Sequence, residues 1–133
     1  MAPIPLVSVV DDDESVRESL RGLIRSIGLG VQTFASADDF SRSEHLERTD
    51  CLILDVRMPG MSGLELQRHL AMSERHIPII FITAHGSDES TRARALRDGA
   101  VAYLSKPFSE AALLEAVNAA LKAQRTGRRR VFG

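Results

Sequence analysis

Asp11, Asp12 and Asp13 stand together near the start of the chain. Asp55 ends an apolar run three residues before Met58-Pro59-Gly60, Thr83 ends a β-branched run, and Lys106 precedes Pro107. Gathered carboxylates repel: two like charges ~4 Å apart cost about 1 kcal/mol in water and about 4 kcal/mol at an effective dielectric of about 20. A divalent cation removes that repulsion, and hard oxygen ligands with room for water suit Mg²⁺. An ammonium and a hydroxyl beside such a cation would serve phosphoryl transfer, which needs positioning and charge neutralisation above all. Taken singly, each residue has an ordinary explanation. Acids before a helix act as N-caps and dipole partners, the favoured reading for Asp13. A strand-end Thr is a good strand former, and a Lys before Pro is an ordinary surface charge. Chemistry requires that the fold bring these residues to one place.

The elements that would do so are legible along the chain. Leu6 to Val10 is a short apolar run suited to a buried strand, and Val16, Leu20, Leu23, Ile24 and Ile27 follow at helical spacing. Gly28 and Gly30 mark the helix exit, Val31 to Phe34 reads as a strand, and Ser36 with Asp39 resembles the start of a capping box. Cys51 to Leu54 reads as a central strand, Met58-Pro59-Gly60 as a turn, and Leu66 and Leu70 as one face of a helix. Ile77 to Ile82 is a strand run with Pro78 at its beginning, where a missing donor is tolerated. Ser87 and Asp88 open a further helix that Gly99 closes. Its single large apolar residue, Leu96, is the expected anchor. Val101 to Leu104 reads as the fifth strand, and Ser109 caps a last helix burying Leu113, Val117, Ala120 and Leu121.

Runs apolar on both faces suit parallel strands covered by helices. Right-handed crossovers then predict a doubly wound α/β fold. The expectation is a five-stranded parallel sheet covered by five helices. Ligands of such sheets bind beyond the carboxyl ends of the strands. Asp11 to Asp13, Asp55, Thr83 and Lys106 all fall there.

The chain's 133 residues fit one domain, with 44% hydrophobic and 26% charged residues, the balance of a soluble globular protein. The one cysteine, Cys51, cannot form an intrachain disulfide and reads as a core residue; a cytoplasmic setting is the default. No apolar stretch approaches the roughly 20 residues of a membrane span, and no signal peptide is visible. The net charge of −1 conceals an asymmetry: Arg125, Arg128, Arg129 and Arg130 close the chain, and all 18 acids precede them. An acidic body over 1–124 does not suit direct binding to nucleic acid. Residues 125–133 read as a basic tail, the start of a linker to an effector domain that this chain lacks. His45, His69, His76 and His85 have no zinc-ligand spacing.

Val9-Val10-Asp11-Asp12-Asp13, Leu54 to Gly63, Ile82-Thr83-Ala84 and Lys106-Pro107-Phe108 together resemble the four signature segments of receiver domains of two-component response regulators. The resemblance covers about residues 5–124, and the Arg57 and His85 neighbours look most like the FixJ-type branch. It implies a flavodoxin-like doubly wound five-stranded parallel sheet in strand order 2-1-3-4-5 with five helices. It implies Asp55 as the nucleophile that takes a phosphoryl group from a sensor histidine kinase. It implies Mg²⁺ held by Asp12, Asp55 and the carbonyl of Arg57, with Asp11 acting through a coordinated water. Lys106 and Thr83 would bind phosphoryl oxygens, Ala84 would leave room, and His85 would tune hydrolysis. Thr83 and Tyr103 would form the switch, and Lys106-Pro107 would be a cis bond. Such a protein is no conventional enzyme; it catalyses its own aspartyl phosphorylation and dephosphorylation. Leu96 and the mixed charges of the 88–98 helix, with Tyr103 and Lys106 coupling the adjacent strand to the site, predict a phosphorylation-dependent homodimer through the 88–124 face; DNA would be reached only through a separate effector domain.

Three rivals fit less well. A haloacid-dehalogenase-type phosphatase would use Asp11 and Asp13, but the chain is short for it and Asp55 stays unexplained. A flavodoxin-like FMN carrier needs a Ser/Thr/Gly-rich loop where three acids stand. A pseudo-receiver that only binds would not need a complete set of site residues.

Overall fold

The computed structural model describes residues 3–84 and 89–132, with side chains through Gln124. Strands and helices alternate: β1 Leu6–Val10, α1 Glu14–Ser26, β2 Gly30–Phe34, α2 Ala37–Ser41, β3 Cys51–Asp55, α3 Gly63–Met72, β4 Ile79–Thr83, α4 Glu89–Arg97, β5 Ala102–Ser105 and α5 Glu110–Phe132. The sheet is parallel throughout, as the sequence pattern predicts, and its order is β2-β1-β3-β4-β5, as the resemblance implies.

Side chains alternate across each strand, so the two faces build two cores. Val10, Leu52, Leu54 and Phe81 face α2 and α3, where Phe40, Leu66 and Leu70 meet them. Val7, Val9, Ile53, Ile80 and Ile82 face α1 and α5, where Leu20, Ile24, Leu113 and Val117 meet them. Fully burying one such side chain stabilises by about 1.5–3 kcal/mol. Cys51 lies in the second core, and burial pushes its thiol up to about 12, so it stays protonated.

Local chemistry sets the ends of the helices. Asp13 caps α1 by accepting from the Ser15 N–H at 2.9 Å. Ser62 and Glu65 form a full capping box at α3, whereas Ser36 caps α2 from one side only, accepting from the Asp39 N–H at 3.1 Å. Gly28 and Gly99 take positive φ, 85° and 105°, as helices α1 and α4 end.

Several boundaries differ from the sequence reading. β4 starts at Ile79, because Pro78 has no N–H to offer; its carbonyl still accepts from Leu52 at 2.9 Å. β5 is shifted by one residue, to Ala102–Ser105. A 3₁₀ turn at Leu46–Arg48, too short to show a periodicity, precedes β3. Ser87 and Asp88 lie outside the described residues. Leu96 is not the anchor of α4: it is 37% exposed, and the buried residue of that helix is Ala95. The small Ala side chain is the one turned to the sheet. In α5, Leu113, Val117 and Ala120 are buried and Leu121 packs at the core's margin. That helix runs on through the basic segment to Phe132.

Candidate functional site: an acidic pocket at the carboxyl edge

Parallel pairing with β3 central brings the ends of β1, β3, β4 and the residues after β5 to one edge. There a cleft of about 320 Å³ is lined by Asp11, Asp12, Asp13, Asp55, Arg57, Thr83, Ala84 and Lys106. Asp11 is fully buried and fully engaged. Its Oδ2 accepts from Lys106 Nζ at 2.9 Å and its Oδ1 from the Asp13 N–H at 2.8 Å. Asp55 is 5% exposed; its Oδ1 accepts from the Arg57 N–H at 3.3 Å, and Lys106 Nζ stands 3.8 Å from its Oδ2. Asp12 is exposed. Asp11, Asp12 and Asp55 each offer a carboxylate oxygen within 4.8 Å of the others, a grouping able to hold a metal ion.

Electrostatics mark Asp55 out. Burial, and then the Asp11 charge beside it, push its carboxyl up to about 6. Lys106 and the Arg57 N–H pull the other way, and Asp12 adds to the rise. Asp13 behaves differently. Its side chain turns back to Ser15, whose hydroxyl and N–H hold the carboxyl below its ordinary value, as an N-cap should be.

Thr83 is buried, and among the described residues its hydroxyl makes one long bond, donating to the Ala84 carbonyl at 3.4 Å. Its main-chain carbonyl accepts from the Lys106 N–H at 2.7 Å, which ties β4 to the lysine's loop. Lys106-Pro107 is cis. Tyr103 is 7% exposed, with its ring 6.2 Å from that of Phe81 and its hydroxyl buried without a partner among the described residues. The side chain of Arg57 faces solvent. His85 lies outside the described residues.

Two residues at this edge escaped the sequence reading as contributors. A Cβ on Gly63 would lie 2.2 Å from the Asp55 carbonyl oxygen and 3.1 Å from the Phe81 ring. Only glycine lets the start of α3 approach the backbone of Asp55 so closely. A glycine at a helix start, where it adds nothing to helix propensity, is the signal that could have found it. Arg17 donates from Nη1 to the Asp11 carbonyl at 2.8 Å, a bond to main chain that no spacing reveals.

Fold and site together define a doubly wound α/β protein with a buried, lysine-bearing acidic pocket beyond its central strands. The model of the response regulator receiver domain matches residues 7–118, and the chain belongs to that family. Nodulation protein W of Bradyrhizobium diazoefficiens is 51% identical over 123 residues, which are 92% of this chain and 54% of its own length. Transcriptional regulatory protein FixJ of Azorhizobium caulinodans is 44% identical over 115 residues, 86% of this chain and 54% of its own, in keeping with the FixJ-type branch. The solved structure of response regulator StyR superposes with a TM-score of 0.89 at 49% identity, covering 96% of this chain and 64% of that one. The chain thus spans about half the length of the curated relatives it matches.

Proposed function

We propose that this receiver domain takes a phosphoryl group from a phosphohistidine of a sensor histidine kinase onto Asp55. The observation that carries the reading is one buried carboxylate, Asp55, set between a second acid and an ammonium in an open cleft. An Asp55 oxygen would attack phosphorus, the P–N bond to the kinase histidine would break, and an acyl phosphate would remain. The donor set fits Mg²⁺: three carboxylates, all hard oxygens, gathered where burial and then the charges of Asp11 and Asp12 raise Asp55. Asp12, Asp55 and the Arg57 carbonyl would hold the ion, and Asp11, already engaged by Lys106 and the Asp13 N–H, would act through a water. Bound there, Mg²⁺ would neutralise charge on the phosphoryl oxygens. Lys106 would swing between Asp11 and a phosphoryl oxygen. The Thr83 hydroxyl, tied by one long bond, would turn to another.

The output follows from what surrounds that turn. Tyr103, buried with a hydroxyl that has no partner among the described residues, and Thr83 would form the switch. α4 buries only Ala95 and exposes Leu96, so it is weakly held and offers an apolar spot on the 88–124 face for a second copy. Arg92 and Arg97 pair within the monomer, with Glu89 at 3.8 Å and Asp98 at 3.6 Å; their exposed partners would exchange across a dimer at little cost. Control of transcription would run through a separate effector domain, which alone would touch DNA. The cytoplasm is the matching compartment, and no outside substrate is turned over. Among the described residues no helix is long and apolar enough to cross a membrane.

The test is direct. Incubation with acetyl phosphate and Mg²⁺, borohydride trapping and peptide mass spectrometry should place the label on Asp55 alone. A label on Asp11, Asp13 or a hydroxyl would overturn the assignment.

A further inference from the structure

Asp12 presents a difficulty that the proposed chemistry leaves open. It is the exposed member of the acid group, and among the described residues no donor reaches its carboxylate. Asp11 is gripped by Lys106 and the Asp13 N–H, and Asp55 by the Arg57 N–H. Only its own backbone can hold Asp12 in place.

Arg17 brackets that backbone. Its guanidinium donates to the carbonyl before Asp12, that of Asp11, at 2.8 Å. Its own N–H donates to the carbonyl after Asp12, that of Asp13, at 3.1 Å, as the first turn of α1 begins. The side chain is half-buried, which shields the bond from water. A charged donor on a carbonyl makes a stronger bond than a neutral pair does. Asp11 meanwhile takes the carbonyl of Phe34 on its own N–H at 3.1 Å, so β1 is fixed on the other side as well.

We propose that Arg17 is a positioning residue: it clamps the Asp11–Asp13 turn so that the otherwise unsupported Asp12 carboxylate faces the metal position. The metal part rests on the proposed Mg²⁺ role of Asp12; the clamp itself does not. An ordinary ion pair would engage a carboxylate. The guanidinium goes instead to main chain, where it restricts geometry without neutralising a ligand.

Two measurements on the whole chain test this, each on wild type, Arg17→Ala and Arg17→Lys. The first is amide exchange by NMR without metal. Loss of the clamp should speed exchange about tenfold at Asp11 and Asp13, whose N–H groups donate to the Phe34 carbonyl and to Asp11 Oδ1, the effect of one lost hydrogen bond, while β3 and β4 amides hold their rates. The second is calorimetric titration with Mg²⁺, where Arg17→Ala should bind about tenfold more weakly. Arg17→Lys keeps the charge and loses the planar fork, so it should resemble Arg17→Ala in exchange. It also serves should Arg17→Ala fail to fold. Unchanged exchange at Asp11 and Asp13 would overturn the clamp, as would a uniform rise that includes the core strands, the mark of a merely structural role. If wild type itself binds no Mg²⁺, the metal reading falls, and the exchange arm still decides on the clamp.

Discussion

Replacing Asp55 by Asn should stabilise the metal-free protein, and by an amount that depends on pH. Asp55 is 5% exposed, and its carboxyl is pushed from an ordinary 3.8 up to about 6, first by burial and then by Asp11. A raised acid holds its proton more tightly in the folded chain than in the unfolded one. Between those two values the folded state therefore binds more protons, and stability falls as pH rises. The loss begins near pH 4, is complete a little above pH 6, and is flat beyond. Integration of the shift gives about 3 kcal/mol at pH 7 and under about 1 kcal/mol at pH 4. Asn has nearly the same shape and no charge to lose. The difference in unfolding free energy between Asp55→Asn and wild type should grow by about 2 kcal/mol from pH 4 to pH 7. Urea unfolding at pH 4, 5, 6, 7 and 8 measures it, with both proteins at each pH so that all other titrations cancel. Saturating Mg²⁺ should shrink the gap at pH 7, since the ion would offset the same repulsion. Parallel stability curves across this range would refute the premise that burial and the neighbouring Asp11 charge strain Asp55.

Gly63→Ala should damage both fold and site. The added Cβ meets a backbone oxygen at 2.2 Å, so Asp55 or α3 must shift by about 1 Å to reach ordinary contact. Overpacking of this kind costs about 1–3 kcal/mol, and a 1 Å misplacement slows a positioned reaction by about 10²-fold; thermal melts and initial rates with acetyl phosphate would show both, and a wild-type rate would contradict the close-approach reading. Glu74→Gly should do the opposite. Glu74 is exposed at φ 59° just past α3, where its N–H bonds the Ala71 carbonyl at 3.1 Å. Glycine there should raise stability by about 0.5–1 kcal/mol in urea, with Asp55 phosphorylation unchanged.

Why some of this was legible beforehand, and some not, is a matter of which interactions leave a period in the sequence. Val7, Ile53 and Ile80 sit in strands covered on both faces, so those runs are apolar throughout and stand out. Asp11, Asp55 and Thr83 follow directly, because parallel topology places strand ends together. α4 has no such signal. Leu96 is its largest apolar residue, yet Ala95 is the one buried, because burial there depends on which turn of the helix meets the sheet. Gly63 and Arg17 act through backbone oxygens, which every residue has, so neither spacing nor residue type names their partners. Gln67 is similar: 95% of its surface is covered and its Nε2 donates to the Ala95 carbonyl at 3.1 Å, tying α3 to α4. No pattern in the α3 segment announces that tie.

The three acids of the pocket are held to very different degrees, and that difference bears on how the site would work. Asp11 has one oxygen on an ammonium and the other on a backbone donor, and it is wholly buried. It is the pocket's fixed charge and the chief electrostatic cause, after burial, of the raised Asp55. Asp55 has one long backbone bond and a lysine at 3.8 Å, a separation at which attraction is felt and no hydrogen bond is made. Asp12 has no donor among the described residues. A nucleophile needs a free oxygen, and a metal ligand needs an open one, so the two least-satisfied acids are the two best suited to those roles. Lys106 lies nearer to Asp11 than to Asp55, which leaves Asp55 under-neutralised at rest. A phosphoryl group on Asp55 would add further negative charge at that position. Lys106 would then have reason to leave Asp11, and the Thr83 carbonyl, bonded at 2.7 Å to the Lys106 N–H, would carry that shift into β4.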